Sequence, residues 1–213
     1  MGAVLFDMDG TLIDSEPLWH RAEAQIVAGF NQEWSVEDGQ ALTGNSLFDS
    51  ACIMIQRKNL PLAPQAVIEM MVSAMHQFYV TQGIPWIEGA KSLLSELASA
   101  NIATALVSAS SDILVPDVCR SASKGSLSIM VTGSEAAIRQ KPFGDPYLLA
   151  AIRLGGPINE CLGVEYSTPG LKAGKDAGAR LALVGQREVS GIEAARFSSV
   201  GQMTLSDVQR LLA

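Results

Sequence analysis

Two aspartates separated by one residue, Asp7 and Asp9, directly follow a short apolar run at residues 3–6. The run has the composition of a buried β-strand, and ligands of open α/β sheets bind at the carboxyl ends of strands. One carboxylate of such a pair can attack a phosphoryl group and form an aspartyl phosphate, while the other gives a proton to the leaving oxygen and later takes one from water. The alternative interpretation of this short motif is an acidic turn at a strand end.

A phosphate beside two carboxylates needs a cation, and a set of oxygen ligands favours Mg²⁺. The sequence therefore indicates a magnesium site near Asp7 and Asp9. An EF-hand calcium loop is a poorer explanation, because that loop has Gly at its sixth position and Glu at its twelfth. When the count starts at Asp7, Gly10 is fourth and Leu18 is twelfth.

Three further polar features occur downstream, near the ends of predicted elements. Ser108 and the backbone of Ala109 follow the apolar run at residues 103–107 and could hold phosphate oxygens. Lys141 precedes a predicted helix and could neutralise both a nucleophile and a phosphate, and Glu165 follows another apolar run. Taken singly, Ser108 is more often a helix cap and Lys141 a solvated lysine. Their order along the chain favours one phosphate site.

Short β-rich runs alternate with helix-like segments from residue 101 onward. Buried strands are predicted at residues 3–6, 103–107, 127–131, 161–164 and 181–184, and helices at residues 92–100, 146–154, 169–177 and 206–212. This alternation is typical of an α/β fold with a parallel sheet. The carboxyl ends of the strands would bring the polar residues to one edge of that sheet.

Residues 15–83 follow a different pattern, because apolar residues recur every three or four positions with no strand between them. This spacing predicts amphipathic helices, with Ser15 as a cap of the first and Gly83 at the end of the last. We expect an inserted helical domain at residues 15–85 and a core made of residues 1–14 and 86–213.

Composition limits the classes of partner. The 213 residues include 15 Lys and Arg against 22 Asp and Glu, a net charge of −7. That balance repels phosphodiester backbones and anionic lipids, so we expect a small molecule as partner, with no nucleic acid and no membrane. The three widely spaced cysteines favour a reducing compartment, the cytoplasm. Oligomeric state does not follow from these features.

The ordered set of Asp7, Asp9, Ser108, Lys141 and Glu165 resembles the haloacid dehalogenase superfamily, in particular its β-phosphoglucomutase-like, sugar-phosphate phosphatase branch. The resemblance covers nearly the whole chain and implies a Rossmann-like parallel core with an inserted α-helical cap domain. It also implies that Asp7 is the nucleophile and Asp9 the general acid and base. Ser108 and Lys141 would then be phosphate ligands.

The same resemblance implies a Mg²⁺ ion held by Asp7, by the backbone carbonyl of Asp9 and by Glu165. A cap of this kind closes over the substrate, excludes water and supplies specificity. The turn at Gly44 and Asn45 is the expected substrate-facing segment of the cap. The implied substrate is a small phosphorylated metabolite, such as a sugar or polyol phosphate.

Four positions depart from the pattern of this branch. Tyr166 stands where members usually have a metal-binding aspartate, and Ser134 stands where they usually have another aspartate. A phenol has a pKa of about 10 and stays neutral at pH 7, so we expect weakened metal binding. A catalytically silent phosphate-binding protein is therefore an alternative function. A sugar-phosphate mutase is less favoured, because Trp19 and Leu47 occupy the positions of its cap His and Arg.

Overall fold

The computed structural model describes residues 2–42, 45–135, 137–187 and 189–213 of the chain. Across these ranges the strands are β1 (Ala3–Phe6), β2 (Ala103–Val107), β3 (Ile129–Val131), β4 (Leu162–Glu165), β5 (Arg180–Val184) and β6 (Ala195–Phe197). They form one sheet in the order β3-β2-β1-β4-β5-β6, and every neighbouring pair is parallel. The predicted parallel α/β fold is confirmed.

Helices account for most of the other regular structure in the described part of the chain. They are α1 (Glu16–Ala28), α2 (Val36–Gln40), α3 (Leu47–Lys58), α4 (Pro64–Gln82), α5 (Ala90–Ser99), α6 (Leu114–Ser121), α7 (Asp145–Leu154), α8 (Thr168–Ala177) and α9 (Leu205–Leu212). The chain divides into two compact units, Met1–Asp14 with Pro85–Ala213, and Ser15–Ile84. The assignment of residues 15–85 to a separate cap domain stays a prediction.

The central strands of the first unit are buried on both faces, which explains their continuous apolar sequences. Every residue of β1 and β4 is buried, and so is every residue of β2 and β5 after the first. Leu5, Val107 and Tyr147 share one apolar cluster, in which α7 packs against β1, β2 and β3. This packing fixes the strand ends that carry the polar residues.

Some elements differ from the sequence-based expectation for local reasons. The strand expected at residues 127–131 is limited to Ile129–Val131, because Leu127 has a left-handed backbone with φ of 49°. Strand β6 is not predicted, since its three residues are partly exposed and include Arg196. Helix α6 begins at Leu114, so Pro116 lies in the first turn, where its missing N–H costs no helical hydrogen bond.

The second unit has an apolar core of its own, formed by the amphipathic helices expected there. Val27, Met54 and Val67 are fully buried in it. Helix α4 packs against both α1 and α3, and Trp34 Nε1 donates a hydrogen bond to Glu23 Oε2 at 2.9 Å. Among the described residues, no helix combines the length and apolar character needed to cross a membrane.

Replacing Leu5 with alanine tests how strongly the first unit depends on β1. Leu5 is fully buried, so Leu5→Ala should lower the free energy of unfolding by about 2–5 kcal/mol through lost burial and a residual cavity. Leu148 on α7 is 40% exposed, so Leu148→Ala should cost no more than about 1 kcal/mol. Urea unfolding followed by circular dichroism measures both. Equal losses in the two variants would contradict this description of the core.

Candidate active site

Three neighbouring strands, β2, β1 and β4, end at the same edge of the sheet. Asp7 follows β1, and its backbone N–H donates to the carbonyl of Val164 on β4 at 3.0 Å. Ser108 follows β2, and its N–H donates to the carbonyl of Val131 on β3 at 2.9 Å. Glu165 is the last residue of β4. Hydrogen bonding between the strands therefore reaches the residues that were predicted to do chemistry and fixes their backbones.

The ammonium of Lys141 lies between the carboxylates of Asp7 and Glu165. Its Nζ is 2.7 Å from Asp7 Oδ1 and 2.6 Å from Glu165 Oε1. It also donates to the carbonyl of Val107 at 3.0 Å, so all three ammonium hydrogens have acceptors. Burial disfavours the charged amine, but the two carboxylates outweigh that effect and raise the pKa of Lys141. The lysine therefore stays protonated beside the proposed nucleophile.

Glu165 is fully buried and accepts five hydrogen bonds. Its Oε1 accepts from Lys141 and, at 2.5 Å, from Tyr147 Oη. Its Oε2 accepts from the N–H groups of Tyr166 and Ser167 at 3.2 and 3.4 Å, and from Ser167 Oγ at 3.2 Å. Burial raises the pKa of Glu165, and the Lys141 ammonium opposes that rise. The carboxylate is placed to hold Lys141.

Two hydroxyl groups that the sequence does not mark as functional hold the aspartates. Thr11 Oγ1 donates to Asp7 Oδ2 at 2.9 Å, and Ser110 Oγ donates to Asp9 Oδ2 at 2.8 Å. The Ser110 N–H in turn donates to Ser108 Oγ at 3.0 Å. Thr11 belongs to the same short motif as the aspartates, so its spacing is a usable signal. Ser110 is 101 positions from Asp9, and no local pattern reveals that contact.

The oxygen atoms at this edge of the sheet fit a magnesium ion held by two protein ligands rather than the three that the resemblance implies. No cluster of three or more His, Cys, Asp and Glu side chains that could hold a metal ion occurs in the described part of the chain. Glu165 does not fit the role of a direct ligand, because Lys141 and four other donors occupy its oxygens. Each Asp7 oxygen accepts one hydrogen bond and has room for a second partner. Asp7 and the backbone carbonyl of Asp9 are the remaining ligands of the expected set.

Tyr166 packs against the loop that carries the two aspartates. A Cβ atom placed on Gly10 would lie 2.5 Å from Tyr166 Cδ1, and Gly10 has a φ of 76°, so this position requires glycine. The guanidinium carbon of Arg187 lies 4.6 Å from the centre of the Tyr166 ring, within cation–π range. The position that the resemblance assigns to a metal-binding carboxylate therefore holds an aromatic ring with a cation over it.

Three further residues were predicted to contact the substrate. Gly44 is outside the described residues, and Asn45 belongs to the helical unit. The Asn45 N–H donates to the carbonyl of Leu42 at 3.0 Å, and its Nδ2 donates to the carbonyl of Ala41 at 3.0 Å. Ala109 is exposed after β2. Substrate binding by Gly44, Asn45 and Ala109 stays a prediction.

Residues 1–178 of the chain match the family model of the haloacid dehalogenase-like hydrolases. Hexitol phosphatase B of Escherichia coli (strain K12) is 26% identical over 213 residues, which cover 97% of this chain and 96% of that protein. The bifunctional riboflavin kinase/FMN phosphatase of Arabidopsis thaliana is 27% identical over 185 residues, covering 85% of this chain but 48% of that protein. The crystal structure of CbbY from Rhodobacter sphaeroides in complex with phosphate has the same fold, with a TM-score of 0.83 and 24% identity over 97% of this chain and 98% of CbbY.

Gly170, in the first turn of α8, lies directly against the Glu165 carboxylate. A Cβ at position 170 would be 1.9 Å from Glu165 Oε1 and 2.1 Å from Oε2. Gly170→Ala should therefore push the carboxylate away from Lys141 and Tyr147, and lower the free energy of unfolding by about 1–3 kcal/mol. Lys172→Ala, at an exposed position of the same helix, is the control and should change it little. If urea unfolding gave Gly170→Ala wild-type stability, the close approach would be wrong.

Proposed function

Because the chain belongs to the haloacid dehalogenase-like hydrolases, we propose that it is a Mg²⁺-dependent phosphatase that hydrolyses a small phosphomonoester through an aspartyl-phosphate intermediate. Its phosphatase-named relatives support the reaction class, the phosphoric monoester hydrolases. The observation that carries the proposal is the Lys141 ammonium between Asp7 and Glu165. It places a positive charge 2.7 Å from Asp7 Oδ1, beside the carboxylate that would attack phosphorus.

The two aspartates divide the chemistry in the proposed reaction. An oxygen of Asp7 attacks phosphorus, the bond from phosphorus to the ester oxygen breaks, and Asp9 gives its proton to that oxygen, which leaves as an alcohol. Asp9 then takes a proton from water as the water attacks the phosphorus of the aspartyl phosphate. This step releases inorganic phosphate and restores the Asp7 carboxylate. The Ser110 hydroxyl, 2.8 Å from Asp9 Oδ2, holds the acid and base in position.

Ser108 is the proposed direct phosphate ligand, and Lys141, whose three hydrogens are donated to Asp7, Glu165 and the carbonyl of Val107, acts on the phosphate through its charge. Ser108 Oγ accepts the N–H of Ser110, so its own hydroxyl hydrogen can point to a phosphate oxygen. Lys141 offsets phosphate charge from a site where burial strengthens its electrostatic effect. Mg²⁺, when held by Asp7 and the carbonyl of Asp9, supplies further positive charge against the phosphate oxygens.

A sugar or polyol phosphate is the proposed substrate class. The similarity to hexitol phosphatase B over 97% of the chain supports it, and the net charge of −7 disfavours a nucleic acid. We also propose a cytoplasmic location. The free thiols of Cys52, Cys119 and Cys161 support a reducing compartment.

Replacing the proposed nucleophile gives the direct test. Asp7→Asn should lower kcat for p-nitrophenyl phosphate by about four orders of magnitude or more, because the amide cannot form the intermediate. Wild-type activity should disappear in EDTA and return with added Mg²⁺. Glu96→Gln, at an exposed position on α5, is the matched control and should keep full activity. Phosphate release from Asp7→Asn at the wild-type rate would refute the assignment.

A catalytically silent phosphate-binding protein is the second candidate function, and Tyr166 is the observation that favours it. Tyr166→Asp adds a carboxylate beside Gly10 and should tighten Mg²⁺ binding about 10–100-fold in a calorimetric titration. Tyr166→Phe keeps the ring and should leave the Mg²⁺ affinity unchanged. If Tyr166→Asp did not bind Mg²⁺ more tightly, position 166 would not limit metal binding. An inactive wild type together with an active Tyr166→Asp variant would favour the silent function.

A further inference from the structure

Arg187 lies at the same edge of the sheet as the candidate active site. It follows β5, which pairs in parallel with β4, the strand that ends at Glu165. Arg187 is exposed, and its guanidinium carbon lies over the face of the Tyr166 ring, 4.6 Å from the ring centre. Among the residues that the structure describes, no carboxylate forms an ion pair with it. A cation accessible to solvent therefore lies beside the strand ends.

Tyr166 connects this cation to the loop of the proposed nucleophile. The ring is in such close contact with Gly10 that a Cβ there would come within 2.5 Å of it. A Cβ on Gly185, at the end of β5, would lie 3.2 Å from the same ring. The ring is thus fixed between two loops at the sheet edge. A guanidinium that stacks on a ring uses its face, which leaves the N–H groups at its edge to donate to oxygen acceptors.

The charges of the site favour an additional cation. Asp7 and Glu165 contribute two negative charges, and Lys141 contributes one positive charge. A phosphate group adds further negative charge. An aspartate at position 166 together with Mg²⁺ would add one net positive charge to this balance. The neutral phenol of Tyr166 together with the guanidinium of Arg187 adds the same net charge.

We propose that Arg187 is a further phosphate-binding residue, and that stacking on Tyr166 holds it where the site can bind a phosphate group without Mg²⁺. This inference rests on the proposed function, since it assigns the ligand of the same site. The planar guanidinium matches phosphate oxygens through two parallel hydrogen bonds. In this assignment, Tyr166 deprives the site of a metal-binding carboxylate, and its ring positions the guanidinium that supplies positive charge instead.

Calorimetric titration with inorganic phosphate in the presence of EDTA tests the role of Arg187. The wild type should bind phosphate, and Arg187→Ala should weaken that binding about 10–100-fold, as expected for hydrogen bonds between charged groups. Arg187→Lys should keep part of the affinity, because it retains the charge but loses the planar fork. Arg120→Ala is the matched control, since Arg120 is exposed on α6 and pairs with Asp117, and it should bind phosphate as the wild type does.

Tyr166→Asp supplies a second variant that acts through the support of Arg187. It removes the ring and adds a negative charge, so binding of phosphate in EDTA should weaken at least as much as in Arg187→Ala. Tyr166→Phe keeps the stacking surface and should bind phosphate like the wild type. Circular dichroism of each variant checks that the fold is retained.

Several results would overturn the assignment. A wild type that does not bind phosphate in EDTA would refute it, and so would an Arg187→Ala affinity equal to that of the wild type. Tighter binding by Arg187→Ala would show that Arg187 and Tyr166 obstruct the site. The phosphatase proposal is judged separately by Asp7→Asn. Loss of turnover in Asp7→Asn with unchanged phosphate binding in Arg187→Ala would refute the role of Arg187 alone, and the reverse pair of results would refute the phosphatase alone.

Discussion

A single ammonium group, that of Lys141, lets two carboxylates coexist at the end of the sheet. Asp7 and Glu165 both approach its Nζ, at 2.7 and 2.6 Å, and without the cation two charges this close would drive one of them to bind a proton. Water does little to screen the interaction, because the Lys141 side chain is 7% exposed and the Glu165 side chain 0%. The electrostatic surroundings of the proposed nucleophile follow from this contact.

The fold brings the three charged groups together from distant parts of the sequence. Asp7 and Glu165 come from the adjacent strands β1 and β4, and Lys141 comes from the segment that precedes α7. Helix α7 packs against the sheet and also supplies Tyr147, whose hydroxyl binds the same Glu165 oxygen as Lys141 does. One helix therefore contributes both to the apolar core and to the polar anchor of the site. Core packing and site geometry depend on each other for this reason.

The sequence predicts the strands and the residues that follow them, because apolar runs and the spacing of Asp7 and Asp9 are local signals. Prediction from the sequence fails where residues that are far apart in the chain come into contact. Tyr147 and Ser110 each have common alternative roles, in a core or at a turn, and only their long-range contacts with Glu165 and Asp9 reveal their place in the site.

For Glu165 the sequence predicts the position of the residue but not its role. The sequence places this carboxylate correctly at the end of a strand, and the resemblance implies that it binds metal. A sequence pattern does not reveal how many hydrogen-bond donors surround a carboxylate oxygen. Those donors make Glu165 the partner of Lys141, and the loop position of Arg187 beside Tyr166 is equally absent from any local pattern.

The donors that bind Glu165 are of two kinds: side chains, which a substitution removes, and backbone N–H groups, which it leaves in place. Leaving one member of a buried ion pair alone costs about 3–5 kcal/mol, so selection for a stable fold and selection for turnover act together on Lys141. Tyr166 is different, because it contributes its backbone N–H to Glu165, and any residue except proline can supply that group. The hydrogen bonds of Glu165 therefore place no demand on the side chain at position 166 beyond the exclusion of proline.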